Sequence, residues 1–422
     1  MSDIANKPVL LCIDDEQSVL NSLIIQLREN LGDQYLYEAA MSADEALEVI
    51  DDLKNDNNEI LVIISDYIMP GMKGDELLIK INSKYPDIIK IMLTGQATIE
   101  GVVNAINNAK IYRYIGKPWE KNDLVMTIQE AIKSYKQTNY IKKLLNTYNK
   151  FVPKEFLAQL NKKDIIDIKL GDQIEKEMTV MFSDIRDFTS LSEKMSPEDN
   201  FNFINSYLKK MVPIIRKNNG FIDKFIGDAI MALFTDVEGA INASIEMQIE
   251  LNNYNCRRID KGYKPINVGI GMNTGSVMLG TIGEDERMET TVISDTVNQA
   301  ARMESLTKVY EAKILLSIET LNSIIKSKKY SYRLIDIINL KGKSAPSFVI
   351  ELLDCFSDEE KNLKIKTKDQ FEKAIWLFRE EKIKESYEIL NEISQINKND
   401  VAVNIYLKKC DDLLKESNLE RN

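Results

Sequence analysis

The chain has 422 residues, of which 44% are hydrophobic and 29% are charged, and this balance predicts two or three globular domains. Its net charge of −11, from 55 basic and 66 acidic residues, gives no reason to expect nucleic acid or an anionic membrane as a partner. The sequence contains 0 His, which excludes Ser-His and Cys-His nucleophiles, His-ligated zinc and a phosphohistidine relay within the chain.

Cysteine usage and the apolar runs indicate where the protein works. The 4 cysteines form no CxxC pair, which favours a reduced chain. The N-terminal residues lack the apolar stretch of a signal peptide, and the longest apolar runs, such as 60–64, are far shorter than a membrane span. We therefore expect a cytoplasmic protein without membrane insertion.

Residues 1–122 are expected to form the first domain, because short apolar runs alternate there with amphipathic stretches. The pattern predicts strands at 9–13, 60–64, 88–93 and 112–115, with helices near 17–30, 42–54, 74–84 and 98–108. Continuous apolar runs are typical of strands that are buried on both faces. The alternation therefore predicts a doubly wound α/β domain with a parallel sheet.

Polar side chains follow these strands at their carboxyl ends, where parallel sheets place ligand sites. They are Asp14, Asp15, Asp66, Thr94 and Lys117. Three carboxylates in one crevice would repel one another without a cation, and all-oxygen ligation suits Mg²⁺. Lys117 and Thr94 would then face an anion formed at the same place. Taken singly, each residue also has an ordinary explanation, since Asp-Asp often caps a helix and Lys-Pro often forms a turn.

This set of residues, with Asp66-Tyr-Ile-Met-Pro-Gly-Met-Lys-Gly74 and Lys117-Pro118, closely resembles the receiver domain of bacterial response regulators. The resemblance implies that Asp66 is the phosphoacceptor and that a cognate histidine kinase is the phosphodonor. It implies that one Mg²⁺ or Mn²⁺ ion is held by Asp14, Asp15 and Asp66. It further implies that Lys117 contacts the phosphoryl group, that Thr94 senses this group and that the Tyr114 ring changes rotamer.

Residues 123–153 are expected to form a coiled-coil-like helical linker. No Gly or Pro occurs from 123 to 149, and apolar or neutral residues recur at 124, 128, 131, 135, 138, 141, 145 and 148. This spacing is a heptad seam with one slip, which is typical of a helix that pairs with its copy in a homodimer. The alternative is a linker helix packed on its own domain.

Residues 154–356 are expected to form a second domain, because their pattern differs from that of the first. This pattern predicts, in order, a strand at 177–182, a helix at 197–218, a hairpin of 221–226 and 229–234, a helix at 237–256, a strand at 266–272 and a helix at 295–307. This order is that of a split βαβ, ferredoxin-like α+β domain.

Residues 365–420 are expected to form a helical tail. Two amphipathic helices are predicted within it, over about 368–418, with a break near 397–400. They could form a single tetratricopeptide (TPR)-like unit, which needs a neighbour because one repeat cannot bury its own apolar face.

The split βαβ topology brings two carboxylates together. Its first and third strands are antiparallel neighbours, so Asp184 lies beside Asp228 of the hairpin turn, about 5 Å away in backbone. Such a pair is a candidate for two-metal chemistry at phosphorus. Asn298 and Arg302 share one helical face, where they could stabilise charge on a phosphoryl group. Lys224 interrupts an apolar strand; such a Lys usually reaches solvent, but its nearness to Asp228 favours a functional role.

The stretches 178–189, 220–228 and 291–302 look like the class III nucleotide cyclase catalytic domain. The resemblance implies that two Mg²⁺ or Mn²⁺ ions are held by Asp184, Asp228 and the Ile185 carbonyl. It implies that Asn298 and Arg302 stabilise the transition state. It also implies that Lys224 and Thr291 bind the purine of the substrate, and that Lys341 or Lys343 contacts its terminal phosphates.

Together the two resemblances imply an adenylate cyclase under phosphorylation control, which converts ATP to 3′,5′-cyclic AMP and pyrophosphate at sites shared within a homodimer. Guanylyl cyclases carry Glu and Cys at the positions of Lys224 and Thr291, so guanylate cyclase is a disfavoured alternative. A catalytically inactive, cyclase-like regulatory module is the other. Ser276 departs from the pattern, because some relatives carry an Arg at this position. In this chain the phosphate contact of that Arg is therefore missing or supplied by another residue.

Overall fold

The computed structural model describes residues 7–95, 108–325, 329–339 and 346–419. The chain divides into two compact units, Met1–Tyr148 and Asn149–Asn422, each with its own hydrophobic core. Within the described ranges, no helix is long and apolar enough to cross a lipid bilayer.

The first unit is built on a five-stranded parallel sheet in the order β2-β1-β3-β4-β5. This confirms the predicted doubly wound α/β fold. Its strands are β1 Val9–Ile13, β2 Leu36–Ala40, β3 Ile60–Asp66, β4 Ile89–Thr94 and β5 Arg113–Gly116. Its helices are α1 Gln17–Leu31, α2 Ala43–Asn55, α3 Gly74–Lys84 and α4 Lys121–Tyr148. Most of the helix predicted at 98–108 lies outside the described residues.

Strand β2 is the part of this sheet that the sequence pattern does not predict. It lies at the sheet edge, where only Tyr37 and Ala40 of its residues are buried. Strand β1 is central, and every residue of it is buried. Its side chains alternate between two cores, with Leu10 and Cys12 in one and Leu11 in the other. Central strands of a parallel sheet therefore carry continuous apolar runs, whereas a half-covered edge strand does not.

Helix α4 has two halves with different surroundings. Leu124, Ile128 and Ala131 in its first half are buried in the core of the first unit. This half therefore follows the alternative in which the helix packs on its own domain. Its second half leaves apolar side chains exposed, namely Tyr140, Ile141, Leu144, Leu145 and Tyr148.

The second unit is built on an eight-stranded sheet in the order β12-β13-β11-β9-β6-β8-β7, with β10 paired to β9. As the split βαβ prediction requires, β6 lies antiparallel beside β8. Its strands are β6 Gln173–Ile185, β7 Gly220–Ile226, β8 Ala229–Phe234, β9 Val268–Gly283, β10 Met288–Ile293, β11 Ile314–Ser317, β12 Tyr332–Asn339 and β13 Pro346–Leu352. Its helices up to β11 are α5 Lys154–Gln159, α6 Phe188–Ser192, α7 Pro197–Lys217, α8 Val237–Asp260 and α9 Asp295–Tyr310, and α10 Ile318–Ile324 follows β11.

Helix α9 lies directly against β9 because two glycines of that strand carry no side chain. A Cβ atom on Gly271 would lie 1.9 Å from the backbone nitrogen of Glu304. A Cβ atom on Gly269 would lie 2.0 Å from the Thr307 hydroxyl. The absence of these side chains lets the helix approach the strand closely, which places its residues over the end of β6.

The C-terminal tail contains α11 Asp358–Lys366, α12 Lys368–Arg379, α13 Ile383–Ile396 and α14 Val401–Leu419. The expectation of two helices in residues 368–418 was wrong, because the chain also turns at Glu381, which has a left-handed φ of 63°. No Gly or Pro marks that turn in the sequence.

The tail is buried against the sheet of the second unit. Phe371, Leu390 and Tyr406 belong to the same hydrophobic core as β12 and β13. The fully buried Arg333 of β12 donates to both carboxylate oxygens of Asp400, at 2.6 and 2.9 Å, and to Glu351 at 2.7 Å. The neighbour that covers the apolar face of the tail is therefore this sheet.

Candidate functional site

The first unit gathers three carboxylates at the carboxyl ends of β1 and β3. One oxygen each of Asp14, Asp15 and Asp66 lies within 4.8 Å of the others. The Lys117 ammonium, which follows β5, is 2.5 Å from Asp14 and 3.0 Å from Asp66. Parallel strands end at the same edge of the sheet, which is why residues so distant in the sequence meet here.

Burial and charge shift the titration of this cluster. Burial raises the pKa of the Asp66 carboxyl, the Asp14 charge adds to the rise, and Lys117 only partly offsets it. Burial also acts to lower the pKa of Lys117, but its contacts with Asp14 and Asp66 raise it above the ordinary value. Three carboxylates under mutual repulsion, with oxygen donors only, suit a hard divalent cation such as Mg²⁺.

Two further residues predicted for this site lie in different surroundings. The Thr94 hydroxyl is buried and has no hydrogen-bond partner among the described residues. A buried hydroxyl without a partner is unfavourable, and an anion on the neighbouring Asp66 would satisfy it. Tyr114 of β5 is 54% exposed, with its ring at the surface.

The second unit brings together Asp184 and Asp228 as the topology predicts. Ser183 pairs with Ile230 across β6 and β8, so Asp184 comes next to the turn that holds Asp228. Asp228 accepts a hydrogen bond from the Ile185 backbone N–H at 3.3 Å. Burial, followed by the Asp184 charge, raises the pKa of the Asp228 carboxyl to about 7. The donors are again oxygen atoms of adjacent acidic groups, and they fit divalent ions of the magnesium type.

Lys308 of α9 is a contact of this site that sequence reasoning missed. Its ammonium is 2.7 Å from Asp184 and 3.7 Å from the buried Glu304. The hydrogen bond to Asp184 raises the pKa of Lys308. Lys308 therefore neutralises part of the acidic charge at the end of β6. The sequence predicts the start of α9, but helical spacing does not show which face of α9 meets β6, so Lys308 carried no separate signal.

Asn298 and Arg302 lie on the exposed side of the same helix. Both residues are exposed to solvent. Within the described part of the chain, neither makes a hydrogen bond or ion pair with Asp184 or Asp228. One chain therefore brings the two carboxylates together with Lys308, but it does not bring them together with Asn298 and Arg302.

Lys224 and Thr291 come together from β7 and β10. The Lys224 ammonium donates to the Thr291 hydroxyl at 3.0 Å. Lys341 and Lys343 lie outside the described residues. Ser276, at the departure from the usual pattern, donates to the Glu175 carboxylate of the neighbouring strand.

Two family models match the chain. Residues 10–129 match the response regulator receiver domain, and residues 171–352 match the adenylate and guanylate cyclase catalytic domain. An adenylate cyclase of Anabaena cylindrica is 40% identical over 221 residues, or 51% of this chain and 44% of the relative. The terminal-differentiation specific adenylate cyclase of Dictyostelium discoideum is 34% identical over 288 residues, or 67% of this chain and 14% of the relative. The chain thus spans less than half the length of either relative.

Solved structures resemble each half of the chain. The adenylyl cyclase CyaB from P. aeruginosa is 35% identical, and the match covers 43% of this chain and 95% of that one with a TM-score of 0.40. The signal receiver domain of an HD domain-containing protein from Pseudomonas fluorescens Pf-5 is 29% identical, and the match covers 31% of this chain and 98% of that one with a TM-score of 0.28.

Proposed function

We propose that the protein is a phosphorylation-controlled adenylate cyclase. Its sequence matches a response regulator receiver domain followed by an adenylate and guanylate cyclase catalytic domain. The reaction is the conversion of ATP to 3′,5′-cyclic AMP and pyrophosphate. Similarity to two adenylate cyclases, at 34% and 40% identity, supports this activity. The observation that carries the choice of ATP is the 3.0 Å contact between Lys224 and Thr291.

The Lys224–Thr291 pair suits adenine better than guanine. An ammonium group can only donate, and N1 of adenine is an acceptor whereas N1 of guanine carries a hydrogen. The Thr291 hydroxyl can accept from the adenine amino group. A site built to hydrogen-bond one base strongly rejects another that leaves its groups unpaired. This disfavours the alternative of a guanylate cyclase.

The chemistry is attack of the ribose 3′ oxygen on the α-phosphorus. Two divalent ions, when bound by Asp184, Asp228 and the Ile185 carbonyl, would lower the pKa of the attacking hydroxyl and neutralise phosphate charge. The Arg302 guanidinium stabilises the charge that develops on the transferred phosphoryl group, and the Asn298 amide orients the ribose. Lys341 or Lys343 contacts the terminal phosphates in this proposal. No step requires a histidine.

The active enzyme in this proposal is a homodimer. Asn298 and Arg302 are exposed in the single chain, whereas Lys308 of the same helix pairs with Asp184. A second copy would supply its Asn298 and Arg302 to the carboxylates of the first. The exposed apolar side chains of α4, from Tyr140 to Tyr148, supply a second contact through coiled-coil pairing.

Control is exerted through Asp66. The Thr94 hydroxyl, which has no partner among the described residues, and the Lys117 ammonium lie at the end of the sheet where a phosphoryl group on Asp66 would lie. A histidine kinase is the phosphodonor, and one Mg²⁺ or Mn²⁺ ion is held by the receiver carboxylates. A cytoplasmic location, where ATP and such a kinase are both present, belongs to the same proposal.

An inactive cyclase-like module is the second alternative. Such a module would be expected to lack a metal carboxylate or the transition-state pair. This chain retains Asp184, Asp228, Asn298 and Arg302. The retained set favours an enzyme.

A turnover assay tests the proposal. The purified full chain is given ATP or GTP with Mg²⁺ or Mn²⁺, with and without a small phosphodonor such as acetyl phosphate. We expect cyclic AMP to exceed cyclic GMP, and we expect the phosphodonor to change the rate. Asp184→Ala should remove the activity and controls for contaminants. Preferential cyclic GMP formation would favour the guanylate alternative, and no product from either nucleotide would favour the inactive module.

A further inference from the structure

Asp223 is a buried carboxylate that none of the roles described above uses. Its side chain is 0% exposed, and both carboxylate oxygens lack a hydrogen-bond partner among the described residues. A buried carboxylate without hydrogen bonds destabilises the folded chain, because burial removes its hydration. A carboxylate buried in this way is explained either by a countercharge beside it or by a function that requires it.

Asp223 lies at an irregularity in β7. Ile222 pairs with Ala232 of β8, and Lys224 pairs with the adjacent Met231, so Asp223 has no partner across the ladder. Such a bulge changes the direction in which neighbouring side chains point. In a regular strand the side chains of residues 223 and 224 would lie on opposite faces. Here the Lys224 ammonium is 3.4 Å from an Asp223 carboxylate oxygen.

The same ammonium contacts the Thr291 hydroxyl at 3.0 Å. Asp223, Lys224 and Thr291 thus form a chain of polar groups in which Lys224 is the middle member. Burial raises the pKa of the Asp223 carboxyl, and Lys224 is the group that opposes this rise. The Lys224 ammonium therefore stabilises the charged form of the Asp223 carboxylate.

We propose that Asp223 is a positioning residue for base specificity, which holds the Lys224 ammonium beside Thr291 so that the site accepts a purine with an unprotonated N1. The proposal rests on the adenylate cyclase function above. The four-carbon side chain of a lysine can adopt many rotamers. The fixed carboxylate of the adjacent Asp223 limits the rotamers that are available to Lys224. Without that countercharge, Lys224 would turn toward solvent and lose its alignment with the base.

The test compares wild type with Asp223→Asn in the full chain, using ATP, GTP and 1-deaza-ATP, in which a C–H replaces N1. Because a hydrogen bond to a charged group is stronger than a neutral one, we expect the KM for ATP to rise about tenfold or more, with a smaller change in kcat. The ATP to GTP selectivity should fall by a similar factor. The KM for 1-deaza-ATP should stay within about twofold of wild type, because that nucleotide has no N1 acceptor to lose.

Two controls separate positioning from folding. In a Lys224→Met background, Asp223→Asn should change neither KM nor selectivity further, because its effect acts through Lys224. Asp223, Lys224 and Glu155 line one cavity of 450 Å³. Glu155→Gln, which removes an exposed carboxylate from that cavity, should leave selectivity unchanged. Asp223→Thr, which also lacks the charge and suits a strand, replaces Asp223→Asn if the latter does not fold.

Each outcome decides the question. Unchanged KM and selectivity in a folded Asp223→Asn variant would overturn the proposal. Equal KM increases for ATP and 1-deaza-ATP would also overturn it, since the role would then be structural. Failure of both Asp223 variants to fold, while Lys224→Met folds, would again assign Asp223 to stability alone. If wild type converts neither ATP nor GTP, the proposed function fails first.

Discussion

The two acidic sites of this chain are assembled in different ways. In the first unit, Asp14, Asp15, Asp66 and Lys117 all come from the carboxyl ends of parallel strands and contact one another in a single chain. In the second unit, Asp184 and Asp228 meet, but Asn298 and Arg302 remain exposed and Lys308 occupies the place beside Asp184. A parallel sheet edge can complete a site within one chain, whereas in the proposed homodimer a second copy would supply Asn298 and Arg302 to the carboxylates of the second unit.

The largest expected effect tests whether the second site is shared. Asp184→Ala and Asn298→Ala should each be nearly inactive alone. After one-to-one mixing and subunit exchange, half of the dimers would be heterodimers, and each would contain one intact site. Activity should return to roughly one quarter of wild type, if sites act independently. The measurement is cyclic AMP formation after exchange, with heterodimers verified by two different affinity tags.

A matched mixture is the control for that experiment. Asp184→Ala mixed with Asp228→Ala should not recover, because both substitutions damage the carboxylate half of the site and every heterodimer site lacks one ligand. A mixture of Asp184→Ala and Asn298→Ala that stays as inactive as its parents, with heterodimers present, would show that each chain completes its own site.

The next effect tests the completeness of the first site. Asp66→Asn should abolish labelling of the chain by a radioactive small phosphodonor, and it should remove any donor-dependent change in the rate of cyclic AMP formation. The physical reason is that an amide lacks the nucleophilic carboxylate oxygen that accepts the phosphoryl group. Asp51→Asn, which alters an exposed carboxylate paired with Lys84, should still be labelled. Undiminished labelling of Asp66→Asn would remove Asp66 from this role.

The smallest expected effect is the pH dependence of metal binding at the second site. The pKa of Asp228 in the folded chain is raised to about 7 by burial and by Asp184, so a proton competes with a metal ion there below neutral pH. Apparent Mg²⁺ affinity of the second site should fall by up to about tenfold per pH unit below 7 and level off above it. Without metal, ionising this raised-pKa carboxyl reduces stability as the pH rises from about 4 to 7.

Thermal unfolding with EDTA or Mg²⁺ measures this prediction. Asp15→Asn, placed in the background, weakens the receiver ion site so that the second site dominates the response. The stabilisation caused by Mg²⁺ should be larger at pH 8 than at pH 6, since binding at pH 6 must first displace a proton. Equal stabilisation at both pH values would show that Asp228 does not control metal binding.

Much of the fold was predictable because its signals are local. The four predicted receiver strands, two of which are continuous apolar runs, follow from periodicity. The β7–β8 hairpin around Gly227 and the helices α7 to α9 likewise follow from turn residues and periodicity that adjoin one another in sequence. The edge strand β2 and the turn at Glu381 were not predictable in this way. Partial burial removes the apolar run from β2, and Glu381 adopts its left-handed conformation without a glycine to mark it.

The sequence by itself determined the fold class of both units and the adjacency of Asp184 and Asp228, because strand patterns and a known topology place strand ends together. Only the tertiary structure decided which side chains form ion pairs with the acidic groups. The Lys308–Asp184 pair joins residues 124 positions apart, and the buried Arg333–Asp400 pair joins residues 67 positions apart. The first pair depends on which face of α9 meets the end of β6, and helical spacing alone leaves that rotation open. The second pair depends on how the C-terminal tail packs on the sheet, which spacing in the sequence does not determine.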